Sequence, residues 1–152
     1  MTTYNDLLIE ADSNNLITKE KPLCANKGRI KGNRIAIKKD LTETEKKCVL
    51  AEELGHHYTA VGDILNQSNV GNRKQEMRGR ILAYNRLIGL RGIISAYQRH
   101  CQNVSESAEY LGVTEEFLQE TLTYYKSKYG IYTQVDNYVI FFEPSLGVFE
   151  MI

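Results

Sequence analysis

Apolar residues recur at helical spacing in "TYNDLLIEA", which predicts a short first helix. "NNLITKEKPL" leads outward without that period, and Pro22 bars a helix there. "KGRIKGNRIAIKK" sets Ile30 apart from Ile35 and Ile37 by a Gly-Asn break, the pattern of a β-hairpin or strand pair whose second arm is "NRIAIKK". In "LTETEKKCVLAEELGHHYTAVG" a helix begins at Thr42, with Glu45 three residues on completing a capping box and Gly62 as the stop. "ILNQSNVG" reads as a loop.

The next helix, "NRKQEMRGRILAYNRLIGL", has Asn72 as cap, Gln75 at the third helical position and a core stripe of Met77, Ile81, Tyr84 and Ile88. A break near Gly92 leads to a further helical run, "RGIISAYQRHC". "VSESAEYLGVTEEFLQETLTYYKSKYG" predicts two helices joined at Leu111-Gly112-Val113, with Thr114 capping the second, at helix-turn-helix spacing. The tail from Ile131 is β-rich, with turns at Asp136-Asn137 and around Pro144. The class is α+β, with small strands at the edges and a helical centre.

Composition narrows the picture. The 152 residues are enough for one domain with a small appended part, and they carry 19 basic and 19 acidic residues. Net charge therefore selects neither nucleic acid nor membrane. No signal peptide and no membrane-length apolar run is seen. Three cysteines, Cys24, Cys48 and Cys101, lack paired spacing, which suits a reducing cytoplasm better than a disulfide framework.

The chemistry concentrates in "LAEELGHHYTA". Residues four apart share one helix face, so Glu52 pairs with His56 and Glu53 with His57. The frame is that of the zinc-protease helix H-E-x-x-H, with Glu52 where its first histidine stands. With Glu52 and His56 as ligands, Glu53 occupies the place of the general base. With Glu53 and His57, that place falls to Leu54, which cannot move a proton, so chemistry favours the first register. A catalytic zinc usually takes three protein ligands and keeps a position for water. Glu76, on the next helix within the basic stretch "NRKQEMRGR", is the candidate third ligand. Gly79 and Gly55 would let the two helices approach closely, since a glycine inside a helix costs about 1 kcal/mol against alanine and calls for such a reason. Cys48 lies about 12 Å along the axis from His56, too far to share a metal, and reads as a small buried residue. His100 reads as a surface histidine. Glutamate and histidine four apart also occur on ordinary solvated helices, and E-E-x-x-H is a weaker signal than H-E-x-x-H.

"LAEELGHHYT", "NRKQEMRGRILAYNRLI" and "AEYLGVTEEFLQETLTYYKSKYG" together resemble the ImmA/IrrE family of metallo-endopeptidases, above all its short prophage and mobile-element members. The resemblance implies a zincin-like core with a small edge sheet and an active-site helix over residues 1–100. A helix-turn-helix-like helical segment with a β-rich tail then fills 101–152. It implies Glu53 as general base and Glu52, His56 and Glu76 as ligands of Zn²⁺, with Glu52 departing from the family's histidine. Two ionised carboxylates neutralise a divalent ion, weaken its Lewis acidity and shift preference toward harder metals such as Mn²⁺. The implied substrate is a helix-turn-helix repressor of the mobile element, cleaved in the cytoplasm. "NRIAIKK" would be the edge strand that aligns the substrate backbone. Its Lys38 and Lys39 would favour an acidic substrate segment or simply discourage edge aggregation.

Two other classes compete. A catalytically inert relative would bind the repressor without cutting it. A DNA-binding module would use the paired helices, but Glu115 and Glu116 open the second one, where base and phosphate contacts are made. Direct nucleic-acid contact is therefore not expected, nor is a membrane. Basic residues Arg73, Lys74, Arg78, Arg80, Arg86, Arg91 and Arg99 gather elsewhere, where an acidic partner or nucleic acid could use them, although a solvated helix surface is the commoner explanation.

Overall fold

The computed structural model describes residues 1–60 and 69–152, with the backbone alone for 69–72. It divides into two compact units, Met1–Arg86 and Leu87–Ile152.

The first unit opens with α1 (Tyr4–Ser13), held by a capping box between Thr3 and Asp6. Three short strands follow: β1 (Ile17–Lys21), β2 (Gly28–Lys31) and β3 (Arg34–Lys38). Their order is β1-β3-β2, with β1 parallel and β2 antiparallel to β3. The predicted hairpin is present, with Gly32 at positive φ in its turn. Ile35 and Ile37 on β3 are buried together with Leu7 and Ala11 of α1 and Leu50 and Leu54 of α2 (Glu43–Ala60), so both helices pack on one face of the sheet. Helix α2 starts where the capping box placed it. The Glu45 N–H donates to Thr42 Oγ1 at 3.2 Å, and the Thr42 N–H donates to Glu45 Oε1 at 3.2 Å.

Two expectations change here. The segment after α1 is a strand, β1, and β3 is the centre of the sheet. Both sides of β3 are paired, so "NRIAIKK" cannot accept a substrate strand; β2, paired on one side within this sheet, is an edge.

Helix α3 spans Asn69–Leu87, so Asn72 lies inside it rather than at its cap. The expected stop at Gly62 and the loop from Ile64 to Ser68 lie outside the described residues, whereas Asn69, Val70 and Gly71 are helical. Its buried positions are Gly79, Ala83 and Tyr84, while Met77 is exposed. Three helices are tied through one carboxylate. Glu10 of α1 accepts from both terminal nitrogens of Arg86 on α3 and from the Tyr58 hydroxyl of α2 at 2.6 Å. The Arg86 guanidinium holds the Glu10 carboxyl below its usual pKa.

The second unit begins at a break at Ile88-Gly89, three residues before the one predicted, with Gly89 at positive φ. Helix α4 (Gly89–Gln98) contains Gly92. Then come α5 (Val104–Leu111) and α6 (Glu115–Tyr129), the latter capped as expected by Thr114, whose Oγ1 accepts from the Phe117 N–H at 3.0 Å. The tail forms an antiparallel meander of β4 (Tyr132–Val135), β5 (Tyr138–Phe141) and β6 (Gly147–Glu150), with its first turn at Asp136-Asn137. Ile93, Ile94, Ala108, Leu111, Phe117, Leu118, Tyr125, Ile140 and Phe142 form its core. Among the described residues no helix is long and apolar enough to cross a membrane.

Candidate active site at the crossing of α2 and α3

The two glycines flagged in the sequence meet. A Cβ built on Gly55 would stand 2.1 Å from the Gly79 carbonyl oxygen and 2.9 Å from its carbonyl carbon. A Cβ on Gly79 would stand 2.1 Å from Nδ1 of His56. Hydrogen at both positions is what lets α2 and α3 touch through backbone, and it brings the two helices' polar side chains into one neighbourhood.

Glu53 lies buried on α2, 9% exposed, facing the start of β2. A Cβ on Gly28 would sit 3.3 Å from Glu53 Oε1. Burial, then the charges of Glu52 and Glu76, push the Glu53 carboxyl up to about 7. A carboxyl poised near neutral pH is suited to take and return a proton. His56 is half-buried, and burial lowers its pKa; Glu76 opposes that shift and Arg80 adds to it. Its imidazole is therefore neutral near pH 7, the form that ligates metals. Glu52 is half-buried one turn before His56. Glu76 is exposed, and its Oε1 accepts from Arg80 at 2.9 Å.

The other titratable candidates are placed as follows by burial and contact. Cys48 is buried at 5% exposure, His57 lies beside the Tyr58 ring, and His100 is exposed. None of the three cysteines forms a disulfide.

A divalent metal fits these residues in chemistry: one neutral imidazole nitrogen and two carboxylates, beside a buried carboxyl able to move protons. The fit in placement is incomplete. Among the described residues, no three His, Cys, Asp or Glu side chains converge closely enough to hold an ion. The Arg80 guanidinium is the visible competitor for Glu76, and Glu76 must turn from it to join His56. The i,i+4 spacing of Glu76 and Arg80 is the sequence signal for this pair.

Gly79→Ala tests this geometry. The obstruction is a side chain that can rotate, and alanine improves helix propensity by about 1 kcal/mol, so the fold should hold. The His56 ring must swing away. Metal retained after purification should fall at least about tenfold while the melting temperature stays near wild type, the cost of one displaced ligand. Wild-type metal content in this variant would show that His56 does not depend on the crossing.

No curated protein matches the chain at a significant level. The family described as IrrE N-terminal-like domain, Peptidase_M78, matches residues 13–123, a span that takes in Glu52, Glu53, His56 and Glu76 and most of the chain. With its zincin-like α+β fold and this match, the chain belongs to the IrrE N-terminal-like peptidase family.

Proposed function

We propose that this chain is a metal-dependent endopeptidase that cleaves a helix-turn-helix repressor of a prophage or mobile element in the cytoplasm, and so relieves repression. The observation that carries the reading is the buried Glu53 carboxyl, held near neutral pKa beside His56 at a glycine-to-glycine helix crossing. Glu52, His56 and Glu76 would hold the ion, Zn²⁺ or, given two carboxylates, Mn²⁺. When bound, the metal supplies Lewis acidity toward water and the scissile carbonyl. Glu53 takes the proton of the attacking water and returns it to the leaving amine. β2, rather than β3, is the strand available to align an extended substrate, and a Cβ built on Gly28 at its start would stand 3.3 Å from Glu53 Oε1.

A second reading is favoured by the Arg80–Glu76 ion pair, which occupies the third ligand: a relative that binds the repressor without cutting it. A repressor-controlled reporter separates the two. Derepression by wild type and its loss in Glu53→Gln supports the peptidase; full derepression by Glu53→Gln supports binding alone.

Glu52→His tests the substituted ligand. Restoring the imidazole should tighten zinc binding by about tenfold or more and raise the cleavage rate. If zinc affinity and cleavage both stay at wild-type values, Glu52 is not a ligand.

A further inference from the structure

Pairing in the first sheet sorts its side chains by face. Ile17, Lys19 and Lys21 of β1 lie level with Arg34, Ala36 and Lys38 of β3, and Arg29 and Lys31 of β2 lie level with Ala36 and Arg34. Paired residues project to the same side of a sheet. One face therefore presents Lys19, Lys21, Arg29, Lys31, Arg34 and Lys38, interrupted only by Ile17 and Ala36. The opposite face carries Gly28, Ile35 and Ile37 and holds α1 and α2 with Glu53. Five of the six cations are exposed and Lys38 is half-buried. No acidic residue occupies a strand position on this face, and none of the six forms an ion pair among the described residues. The chain's charge is balanced overall, so this is segregation and not bulk basicity. Lys19, Lys21, Arg29, Lys31 and Arg34 line a shallow concavity of about 380 Å³.

We propose that this face binds the phosphodiester backbone of duplex nucleic acid, at a surface separate from the candidate active site. Three features choose this occupant. Neighbouring strands lie about 4.8 Å apart and alternate residues about 6.6 Å apart, so the cations form a dense two-dimensional array that suits a ligand charged at every unit. The face has no aromatic side chain, which removes the stacking platform that single strands use. An acidic peptide lying flat on it would find no free backbone groups on β3, because that strand is paired on both sides. The acidic start of α6 counts against that helix as a nucleic-acid surface and leaves the sheet untouched.

The test is fluorescence anisotropy of a labelled random 20-base-pair duplex with the full chain across 50–200 mM salt. Wild type should bind with log K falling linearly in log salt, at a slope of about −3 to −5. Lys19→Gln/Lys21→Gln/Arg34→Gln should make the slope shallower by about three and weaken binding at least tenfold at 0.1 M salt. Arg73→Gln/Lys74→Gln/Arg78→Gln, on α3, should bind as wild type. Circular dichroism confirms that both variants fold, and the wild-type slope stands without either. Absence of duplex binding at 50 mM salt overturns the proposal. So does a loss confined to the α3 variant, or tighter binding of poly-glutamate than of duplex, which would assign the face to an acidic protein. Repressor cleavage is not measured here, so a negative result leaves the peptidase reading standing, and a failure of that reading leaves this one standing.

Discussion

Gly55→Ala should lower the melting temperature by about 5 °C or more and abolish whatever activity depends on the α2–α3 crossing. The added methyl meets the Gly79 carbonyl oxygen at 2.1 Å and its carbon at 2.9 Å, and those are backbone atoms that cannot rotate away. The helices must separate. Overpacking of this kind costs about 1–3 kcal/mol, and the better helix propensity of alanine returns about 1 kcal/mol at most. At the upper end of that range the net loss is about 2 kcal/mol, which for a chain of this size is a shift of roughly 4–8 °C. The contrast with Gly79→Ala is the informative part. One variant pushes backbone on backbone and harms the fold; the other pushes a methyl on an imidazole and harms the site. Thermal unfolding of both, beside metal content, separates them. Equal melting temperatures for wild type and Gly55→Ala would mean that the close approach does not support the fold.

Glu53→Gln should cost about 10² to 10⁴ in cleavage rate, the range for loss of a positioned general base. It should also stabilise the metal-free protein, and the sign follows from the direction of the shift. Burial and two neighbouring carboxylates raise the Glu53 carboxyl from 4.5 to about 7 in the folded chain. Between those values the folded state binds more protons than the unfolded state, so unfolding free energy falls as pH rises. The loss begins near pH 4.5, is complete above pH 7 and amounts to about 3 kcal/mol. Glutamine does not titrate, so the variant should escape that loss. Urea unfolding of chelator-treated proteins at pH 5 and pH 8 checks it: the variant's advantage should be large at pH 8 and small at pH 5. A group that destabilises the fold while being suited to proton transfer is the pattern expected of a retained functional residue.

Local signals carried most of the architecture. The Thr42–Glu45 capping box, the Gly32-Asn33 hairpin turn and the Thr114 cap are each set by residues within a few positions, and each is found where its pattern lies. The approach of Gly55 to Gly79 was legible because an interior glycine is costly without a packing reason. What failed was non-local. β1 is mostly exposed and charged, and its partner β3 lies across a sequence gap, so no alternation of apolar residues announces it. Without β1, β3 looks like an edge. Of the stripe Met77, Ile81, Tyr84 and Ile88, Tyr84 and Ile88 are buried as expected, whereas Met77 is exposed and the small residues Gly79 and Ala83 share the buried side of α3. Asn72 and Gln75 satisfy a capping pattern, yet the helix extends back to Asn69. Either Gly89 or Gly92 could break the chain; the positive φ falls at Gly89. The four candidate residues were named from spacing and resemblance, whereas the hold of Arg80 on Glu76, signalled only by i,i+4 spacing, is seen as an ion pair in the folded helix.

The central claim is that Glu53 acts as the base of a peptidase site at this crossing. Intact-mass analysis of the proposed helix-turn-helix repressor substrate, incubated with purified, metal-loaded protein, tests it most directly. Wild type should produce two fragments whose masses sum to the repressor plus one water, and Glu53→Gln should leave the repressor whole over the same period. Fragmentation at equal rates by both proteins, or an intact repressor with both, would contradict the claim.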